Sequence, residues 1–265
     1  MDSHPNFRHF FKSHSHYILT IMQNAKFLER FVSYREPQAI HFAKMLLSQK
    51  IKYQFAVIRQ NRIGKQYLDE ISQTNALSLL ILIEARAARR YWKYFGNAIY
   101  GKADWNGRIP HAHDSANALL DIGYHYLAGK IIKECDALYI PTELGIFHKA
   151  QSRNAHPLAY DFMEWLRPFL VDRTLMKIIR KKKKKISEID QKAIAYFLSA
   201  VKKEFDIRYY HKKLRYCVTL NFWIRLMLLE MMKSVYRGIP YAPLFPSLRH
   251  ETRCKKTASS SEAAT

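Results

Sequence analysis

The amino-acid sequence predicts a mainly α-helical protein. Only 8 of its 265 residues are glycine and 9 are proline, so residues that interrupt helices are few. Hydrophobic residues make up 48% of the chain, a content that excludes a wholly disordered protein. Several segments repeat these residues at intervals of three and four, as amphipathic helices do. Composition and spacing together argue against an all-β fold.

The first predicted helix extends from Pro37, a residue suited to the first helical position, to about Gln60. Its apolar positions are Ile40, Ala43, Leu46, Leu47, Ile51 and Phe55. Four cationic residues decorate the helix: Lys44, Lys50, Lys52 and Arg59. A second helix is expected to start at a cap formed by Ser72 or Thr74 and to end at Gly96, which favours left-handed backbone.

Two more helices are predicted in the middle of the chain. One is capped by Asp114 or Ser115 and ends near Cys135. The next begins at Pro157. We expect Arg167–Pro168 to kink or end it, because the residue before a proline disfavours helical geometry.

Two further helices complete the prediction. Ser187 and Asp190 form a capping box for a helix that ends at Phe205. Asp206 then opens a long final helix that reaches Arg237.

The domain organisation follows from these helices, which form one α-helical domain over residues 36–250. Residues 1–35 show no clean periodicity and are interpreted as an N-terminal remnant, in part disordered. A segment of this length forms at most a short β remnant of one or two strands. Residues 251–265 are rich in Ser and Ala and are predicted to be a disordered tail.

The chain carries a strong positive charge, with 44 Lys and Arg residues against 22 Asp and Glu residues and a formal net charge of +22. Such an excess suits nucleic acid or an anionic membrane surface. No apolar stretch approaches the about 20 residues that a membrane span needs. A membrane-surface helix is disfavoured, because the cations lie in a run and not along one face of a strongly amphipathic segment. Three cysteines without a CxxC pair argue against a disulfide framework and favour the cytoplasm.

One run of cations stands out near position 180. Arg180 is followed by Lys181, Lys182, Lys183, Lys184 and Lys185. Six consecutive like charges repel one another, so they are not expected to pack in a core. Two interpretations stay open, a solvated loop and a contact with the phosphate backbone of DNA.

Four residues are candidates for chemistry. Glu84 interrupts an apolar helix, His148 lies in a connection between helices, and Asp161 and Glu164 are three residues apart on one helix face. Carboxylates and an imidazole with open positions suit Mg²⁺ or Mn²⁺, which neutralise charge in phosphoryl transfer. By spacing alone the alternative stays open that these are structural groups, with Glu84 paired to Arg89 or Arg90.

Five segments resemble one protein family, in order and in spacing. They are Ile40–Gln60, Glu84–Trp92, Asn117–Leu127, Leu144–His148 and Pro157–Pro168. The LGxxH and DxxExxRP patterns within the last two are the most specific. The chain resembles the CRISPR-associated spacer-acquisition integrase, the first of the Cas protein families. The resemblance covers about residues 36–250 and implies that they form the family's helical catalytic domain.

The resemblance also implies roles for single residues. Glu84, His148 and Glu164 stand at the family's metal-ligand positions, which take Mg²⁺ or Mn²⁺. Asp161 is the neighbouring acid of the same motif, an additional ligand or a residue next to the ligands. Tyr160 immediately precedes it and is expected to contact DNA near the metal.

The family's reaction is a transesterification that extends the CRISPR repeat array. The 3′-hydroxyl of a protospacer DNA end attacks a phosphodiester of the repeat, and the enzyme also nicks branched DNA. The resemblance implies that the partners are double-stranded and branched DNA, a second copy of the chain and a small second CRISPR adaptation protein. It also implies the cytoplasm of a prokaryote.

One departure from the family concerns the N-terminus. Members usually begin with a β-rich domain of about 80 residues, a normal size for a small domain, whereas 35 residues precede the first matched helix here. We therefore expect a weakened homodimer, mainly monomeric, that nicks or disintegrates branched DNA more readily than it integrates two ends. The alternative is a truncated, catalytically impaired DNA-binding remnant. A casposase is disfavoured, because casposases carry added DNA-binding domains.

Overall fold

The computed structural model describes residues 25–101, 105–112, 114–146, 148, 155–182 and 190–248. Its α-helices, numbered here in chain order, are α1 (Ala25–Val57), α2 (Asn61–Gln73), α3 (Leu77–Tyr100), α4 (Ser115–Ala137), α5 (Pro157–Leu166), α6 (Arg173–Lys182), α7 (Gln191–Phe205) and α8 (Leu220–Arg237). A π-helical segment, Arg167–Asp172, joins α5 to α6, and the hairpin strands β1 (Arg208–His211) and β2 (Tyr216–Thr219) lie between α7 and α8. The prediction of a mainly α-helical fold is confirmed.

Helix α1 runs through the centre of the fold. It packs against α2, α3, α5, α8 and the π-helical segment. The predicted start at Pro37 is wrong, because α1 begins at Ala25 and continues through that position. Phe31 and Tyr34 are buried and extend its apolar stripe toward the N-terminus. The predicted domain boundary after residue 35 therefore falls inside α1, while the predicted remnant at 1–24 and the tail at 251–265 lie outside the described residues.

The second predicted helix differs from the structure at both ends. Ser72 lies inside α2, which the sequence analysis missed, and α3 begins after Ala76 without a side-chain cap. The helix also passes Gly96 and ends at Tyr100. A Cβ atom at Gly96 would lie 2.5 Å from the Trp105 ring, so this glycine permits close packing and does not end a helix.

Two predicted caps are present. Asp114 is the N-cap of α4, and its side chain accepts a hydrogen bond from the backbone N–H of Asn117 at 3.0 Å. Asp190 is the N-cap of α7 and accepts from the N–H of Ala193 at 2.6 Å. Ser187, the other half of the predicted capping box, lies outside the described residues.

The predicted break at Arg167–Pro168 takes the form of a π-helical segment. Helix α5 begins at Pro157 as predicted, and the chain continues from it through the segment into α6. Proline has no N–H to donate, and π-type hydrogen bonding is one way in which a helix accommodates such a gap. The wider turn places Arg167 and Asp172, five residues apart, on the wall of one cavity.

The predicted start of the last helix at Asp206 is wrong. Residues Arg208 to Thr219 form an antiparallel hairpin in which Tyr209 pairs with Val218. Alternate residues of β1 are buried and exposed, which is the strand period of two. Helix α8 starts only after Thr219, whose side chain caps it, and ends before Gly238 in the left-handed conformation.

Two further sequence expectations concern membranes and cysteines. Within the part of the chain that the structure describes, no helix is long and apolar enough to cross a membrane. Cys135 is a free, buried thiol. Cys217 is disulfide-bonded, which differs from the expectation drawn from the cysteine count.

Candidate active site

Lys50 lies between two of the predicted site residues. Its Nζ atom is 2.6 Å from Oε1 of Glu84 and 2.5 Å from Oε2 of Glu164. The three side chains come from α1, α3 and α5, so the packing of these helices on one another brings the carboxylates together. The Lys50 and Glu164 side chains are only 11% and 4% exposed. The alternative that Glu84 pairs with Arg89 or Arg90 is not what the structure shows.

The charges of this cluster stabilise one another. Burial opposes charge on Glu164, but the attraction of Lys50 and Arg167 outweighs it and lowers the pKa of Glu164 to about 2. Nη1 of Arg167 lies 3.1 Å from Oε1 of Glu164. Burial likewise opposes charge on Lys50, yet Glu164 and Glu84 raise its pKa above the ordinary value. The carboxylate of Glu164 and the ammonium group of Lys50 are therefore both charged at neutral pH.

His148 is held beside this cluster by Asp161. Oδ1 of Asp161 lies 2.6 Å from Nδ1 of His148 and accepts the backbone N–H of His148 at 2.8 Å. Its Oδ2 accepts the backbone N–H of Ile146 at 2.7 Å. Nε2 of His148 lies 3.9 Å from Oε1 of Glu164. The structure thus brings Glu84, His148 and Glu164 to one place.

Gly145 makes the tight approach of the His148 connection possible. A Cβ atom there would collide with the backbone oxygen of His148 and lie 2.8 Å from Cβ of Pro157. Only glycine avoids that contact without moving the backbone. The LGxxH pattern of the sequence therefore has a structural cause, because its glycine lets the histidine return to α5.

A cavity of about 940 Å³ opens next to these residues. Lys50, Glu84, Tyr160 and Arg167 line one part of it. Other parts of its wall come from Trp92, Arg108, His111, Asp121, Tyr124 and His125. Tyr160 is 36% exposed, and its contact with DNA stays a prediction. The cavity combines aromatic faces with cationic side chains.

A buried polar network beside the cavity was missed by the sequence analysis. Asp172 is 1% exposed and accepts hydrogen bonds from the hydroxyls of Tyr91 at 2.8 Å and Tyr124 at 2.6 Å. Burial raises the pKa of Asp172 in spite of these two bonds. The Tyr124 ring lies between two guanidinium groups, at 5.4 Å from that of Arg108 and 5.2 Å from that of Arg167.

The sequence analysis described Lys50 only as one of four cationic residues that decorate the first helix. Its spacing, however, indicated a position on the buried face. It follows Ala43, Leu46 and Leu47 at the intervals of the buried stripe, and Gln54 comes four residues later. Polar residues within an apolar stripe of a buried helix need polar partners. Arg167 gave a weaker signal, since it belongs to the RP pair that predicted the helix break.

Carboxylate oxygens and an imidazole nitrogen are donor types that suit a hard divalent cation. Here, however, they do not surround one common point. Among the described residues, no group of three or more Asp, Glu, His or Cys residues is arranged closely enough to hold a metal ion. The ammonium group of Lys50 takes the position of a cation between Glu84 and Glu164. The carboxylates and the imidazole therefore fit Mg²⁺ or Mn²⁺ only if Lys50 moves.

The predicted lysine run lies at the end of α6. Lys181 is exposed, and the backbone of Lys182 is the last turn of the helix. Lys183, Lys184 and Lys185 lie outside the described residues. Arg180 donates to the backbone oxygen of Val57 at 3.0 Å, so the run starts from a fixed point against α1.

Comparison with known proteins points to one family. The family model described as CRISPR associated protein Cas1 matches residues 8–210. A curated relative, the CRISPR-associated endonuclease Cas1 1 of Archaeoglobus fulgidus, is 23% identical over 203 residues, which cover 64% of this chain and 59% of the relative. The chain thus spans less than two thirds of that relative's length.

Solved structures show a similar fold. A casposase bound to an integration product has a TM-score of 0.70 with 17% identity, over 83% of this chain and 68% of the casposase chain. A chain of a partial Cas6-RT-Cas1–Cas2 complex has a TM-score of 0.69 with 20% identity, over 83% of this chain and 73% of that chain. Both share the helical architecture described above.

Proposed function

Because the chain belongs to the Cas1 family of CRISPR-associated proteins, we propose that it is a metal-dependent DNA integrase and endonuclease of CRISPR adaptation. The observation that carries the proposal is the convergence of Glu84, His148 and Glu164 from three separate parts of the chain. A structural role alone does not require an imidazole beside two acidic groups that already share a lysine. The relative from Archaeoglobus fulgidus is named an endonuclease.

The proposed ligands of Mg²⁺ or Mn²⁺ are the carboxylates of Glu84 and Glu164 and the Nε2 atom of His148. Such a cation, when bound, supplies Lewis acid assistance to phosphoryl transfer. Asp161 fixes the His148 ring through Nδ1, which leaves Nε2 to face Glu164. Arg167 adds a permanent positive charge at the same carboxylate.

The proposed reaction is a transesterification on DNA. The 3′-hydroxyl oxygen of a protospacer end forms a new bond to a repeat phosphorus, and the bond from that phosphorus to its former 3′ oxygen breaks. The attacking hydroxyl loses its proton and the leaving 3′ oxygen gains one. Because one strand replaces the other directly, no covalent enzyme intermediate is needed. Nicking of branched DNA uses water as the attacking group: the water oxygen bonds to phosphorus, the bond to the leaving 3′ oxygen breaks, and that oxygen takes up a proton from the water.

The cavity beside the ligands supports a DNA substrate. Its volume of about 940 Å³ lies at the upper end of ordinary small-molecule sites. Arg108 and Arg167 provide charge for phosphates, while Trp92 provides an aromatic side chain on which a base can stack. Tyr160 is proposed to contact DNA at the exposed edge.

The proposed partners are double-stranded and branched DNA, a second copy of the chain and a Cas2-type adaptation protein. A net charge of +22 supports a polyanionic partner. One structure of similar fold is a Cas1–Cas2 complex and another is bound to an integration product. The lysine run from Lys181 to Lys185 is proposed to contact the DNA backbone. The weakened homodimer stays a prediction, which light scattering at micromolar concentration would test.

A second candidate function has one observation in its favour. Lys50 already bridges Glu84 and Glu164, as it would in a DNA-binding relative that had lost its metal. Such a protein would bind branched DNA without joining or cutting it. Metal-dependent strand transfer separates this candidate from the integrase.

The deciding experiment is strand transfer of a labelled 3′-hydroxyl end into repeat DNA with Mn²⁺. We expect the wild-type chain to be active and Glu84→Gln, His148→Ala and Glu164→Gln each to lose about 100-fold or more. DNA affinity should stay nearly unchanged in all three. The matched control is Glu143→Gln, an exposed acid between α4 and α5. Retained activity in the three variants would contradict the proposal.

A further inference from the structure

The position of Lys50 leads to an inference that rests on the proposed function. We propose that the ammonium group of Lys50 occupies the place of a divalent metal between Glu84 and Glu164 and must leave these two carboxylates before such a metal can bind. Metal binding and the Lys50 contacts are then mutually exclusive. The protein would therefore carry an internal competitor for its own cofactor.

The distances require this exclusion. The Lys50 ammonium contacts Glu84 Oε1 at 2.6 Å and Glu164 Oε2 at 2.5 Å. A metal ion bridging the same two acids would need oxygens at about 2.0 to 2.6 Å, which is the space that the ammonium now fills. A divalent ion and an ammonium group at adjacent positions also repel strongly where little water screens them.

The geometry of this cluster differs from that of another ion-pair cluster in the fold. Around Glu204, one carboxylate contacts two cations, Arg173 at 2.7 Å and Lys177 at 2.6 Å. Here two carboxylates and two cations meet, and Lys50 contacts both acids while Arg167 contacts Glu164 alone. Lys50 therefore lies where a single cation can bind both acids.

The cavity next to the site offers space for the displaced Lys50 side chain. Lys50 lines the cavity of about 940 Å³ together with Arg167. Its flexible stem allows the ammonium to swing from the carboxylates into that space. There it would add a positive charge on the wall where DNA phosphates are proposed to lie. Occupation of the site by a metal would thus strengthen the cationic wall for DNA.

The first test uses the wild-type chain and measures the accessibility of Lys50. The protein is acetylated with N-hydroxysuccinimidyl acetate, with and without Mn²⁺, and the modified lysines are quantified by peptide mass spectrometry. We expect Lys50 to be protected without metal and to become reactive as Mn²⁺ is added. Lys52, exposed on the same helix, is the internal control and should react equally in both states.

The second test measures Mn²⁺ affinity from the electron paramagnetic resonance signal of the free ion. Lys50→Met should bind Mn²⁺ more tightly than wild type by about 5- to 150-fold, the typical range by which one interaction changes the affinity of another. Lys52→Met should match wild type. If Lys50→Met fails to fold, the acetylation experiment decides alone.

The outcomes separate this inference from the proposed function. Mn²⁺ binding that disappears in Glu164→Gln, combined with unchanged acetylation of Lys50 or unchanged affinity in Lys50→Met, would overturn the inference and leave the integrase proposal in place. If neither the wild-type chain nor Lys50→Met binds Mn²⁺, both proposals fall.

Discussion

The carboxylate of Asp161 fixes both the ring and the backbone of His148. Oδ1 of Asp161 lies 2.6 Å from Nδ1 of His148 and accepts the backbone N–H of His148 at 2.8 Å. Asp161 itself is fully buried, whereas the His148 side chain is 38% exposed. The contact at Nδ1 holds the ring so that Nε2 faces Glu164 at 3.9 Å. Asp161 therefore holds His148 in position beside Glu164.

Asp161→Asn should weaken metal-dependent strand transfer. The amide nitrogen of asparagine donates where the carboxylate accepted, so one hydrogen bond to His148 or Ile146 is broken. We expect the Mn²⁺ concentration for half-maximal activity to rise by about 10- to 100-fold, the usual effect of removing such a partner. Asp136→Asn, at an exposed position of α4, is the control. An unchanged Mn²⁺ requirement in Asp161→Asn would mean that His148 does not need this orientation.

Two glycines of α4 offer a matched pair for packing. A Cβ atom at Gly123 would lie 2.5 Å from Val171 Cγ1, whereas one at Gly129 would meet nothing within 4 Å. Gly123→Ala should therefore lower the free energy of unfolding by about 1 to 3 kcal/mol. Gly129→Ala should raise it by up to about 1 kcal/mol through helix propensity. Urea unfolding of both variants measures the difference, and equal changes would refute the close approach of α4 to the π-helical segment.

Replacement of the run from Lys181 to Lys185 by serine should weaken binding to all DNA sequences alike. Each lysine that neutralises a phosphate releases counterions, so the slope of log affinity against log salt should fall by about 0.9 for every such phosphate that is no longer neutralised. Binding to repeat and unrelated duplexes from low to moderate salt gives this slope. Lys133→Ser, which removes an exposed cation of α4, gives the effect of one charge elsewhere. The same slope in wild type and variant would show that the run is a solvated segment.

Stability should fall with acid through His211 of the hairpin. Burial and the nearby Lys213 lower its pKa to about 4 from 6.5, against the smaller opposite effect of Glu230. Its Nδ1 accepts the N–H of Leu214 at 3.3 Å, a bond that protonation would break. Between pH 6.5 and 4 the unfolded chain binds more protons at this residue, so the free energy of unfolding decreases as pH falls through that window.

The variant His211→Asn keeps an acceptor and removes the titration. Its stability should depend less on pH between 6.5 and 4 than that of wild type, as measured by urea unfolding at several pH values. His125→Asn, at an exposed position of α4, is the matched control. Parallel curves for wild type and His211→Asn would show that the group is not held neutral.

Local chemistry explains which elements the sequence could predict. Asp114 and Asp190 cap their helices with their own side chains, and Gly238 ends α8 because it adopts the left-handed conformation. Such signals act within a few residues. The same reasoning failed at Gly96, where the cause is the Trp105 ring from beyond the helix.

The residues of the candidate site likewise differ in whether the sequence could predict them. The acids and the histidine could be found, because they stand in short patterns with a glycine or a proline nearby. The site residue Lys50 could not, since its role depends on contacts with helices 34 and 114 positions away along the chain, at Glu84 and Glu164. The hairpin was missed because its strands of four residues are shorter than a reliable alternation of apolar and polar positions.

The π-helical segment sets the rotation of α6 about the helix axis relative to α5. An α-helix advances by about 100° for each residue, so the removal of a single residue such as Leu170 would turn everything after it by about that angle. The acids of α5 and the exposed Lys181 of α6 would then face in other directions relative to each other. The rotational phase set at Arg167–Asp172 thus fixes how the C-terminal end of α6 is oriented with respect to the acids.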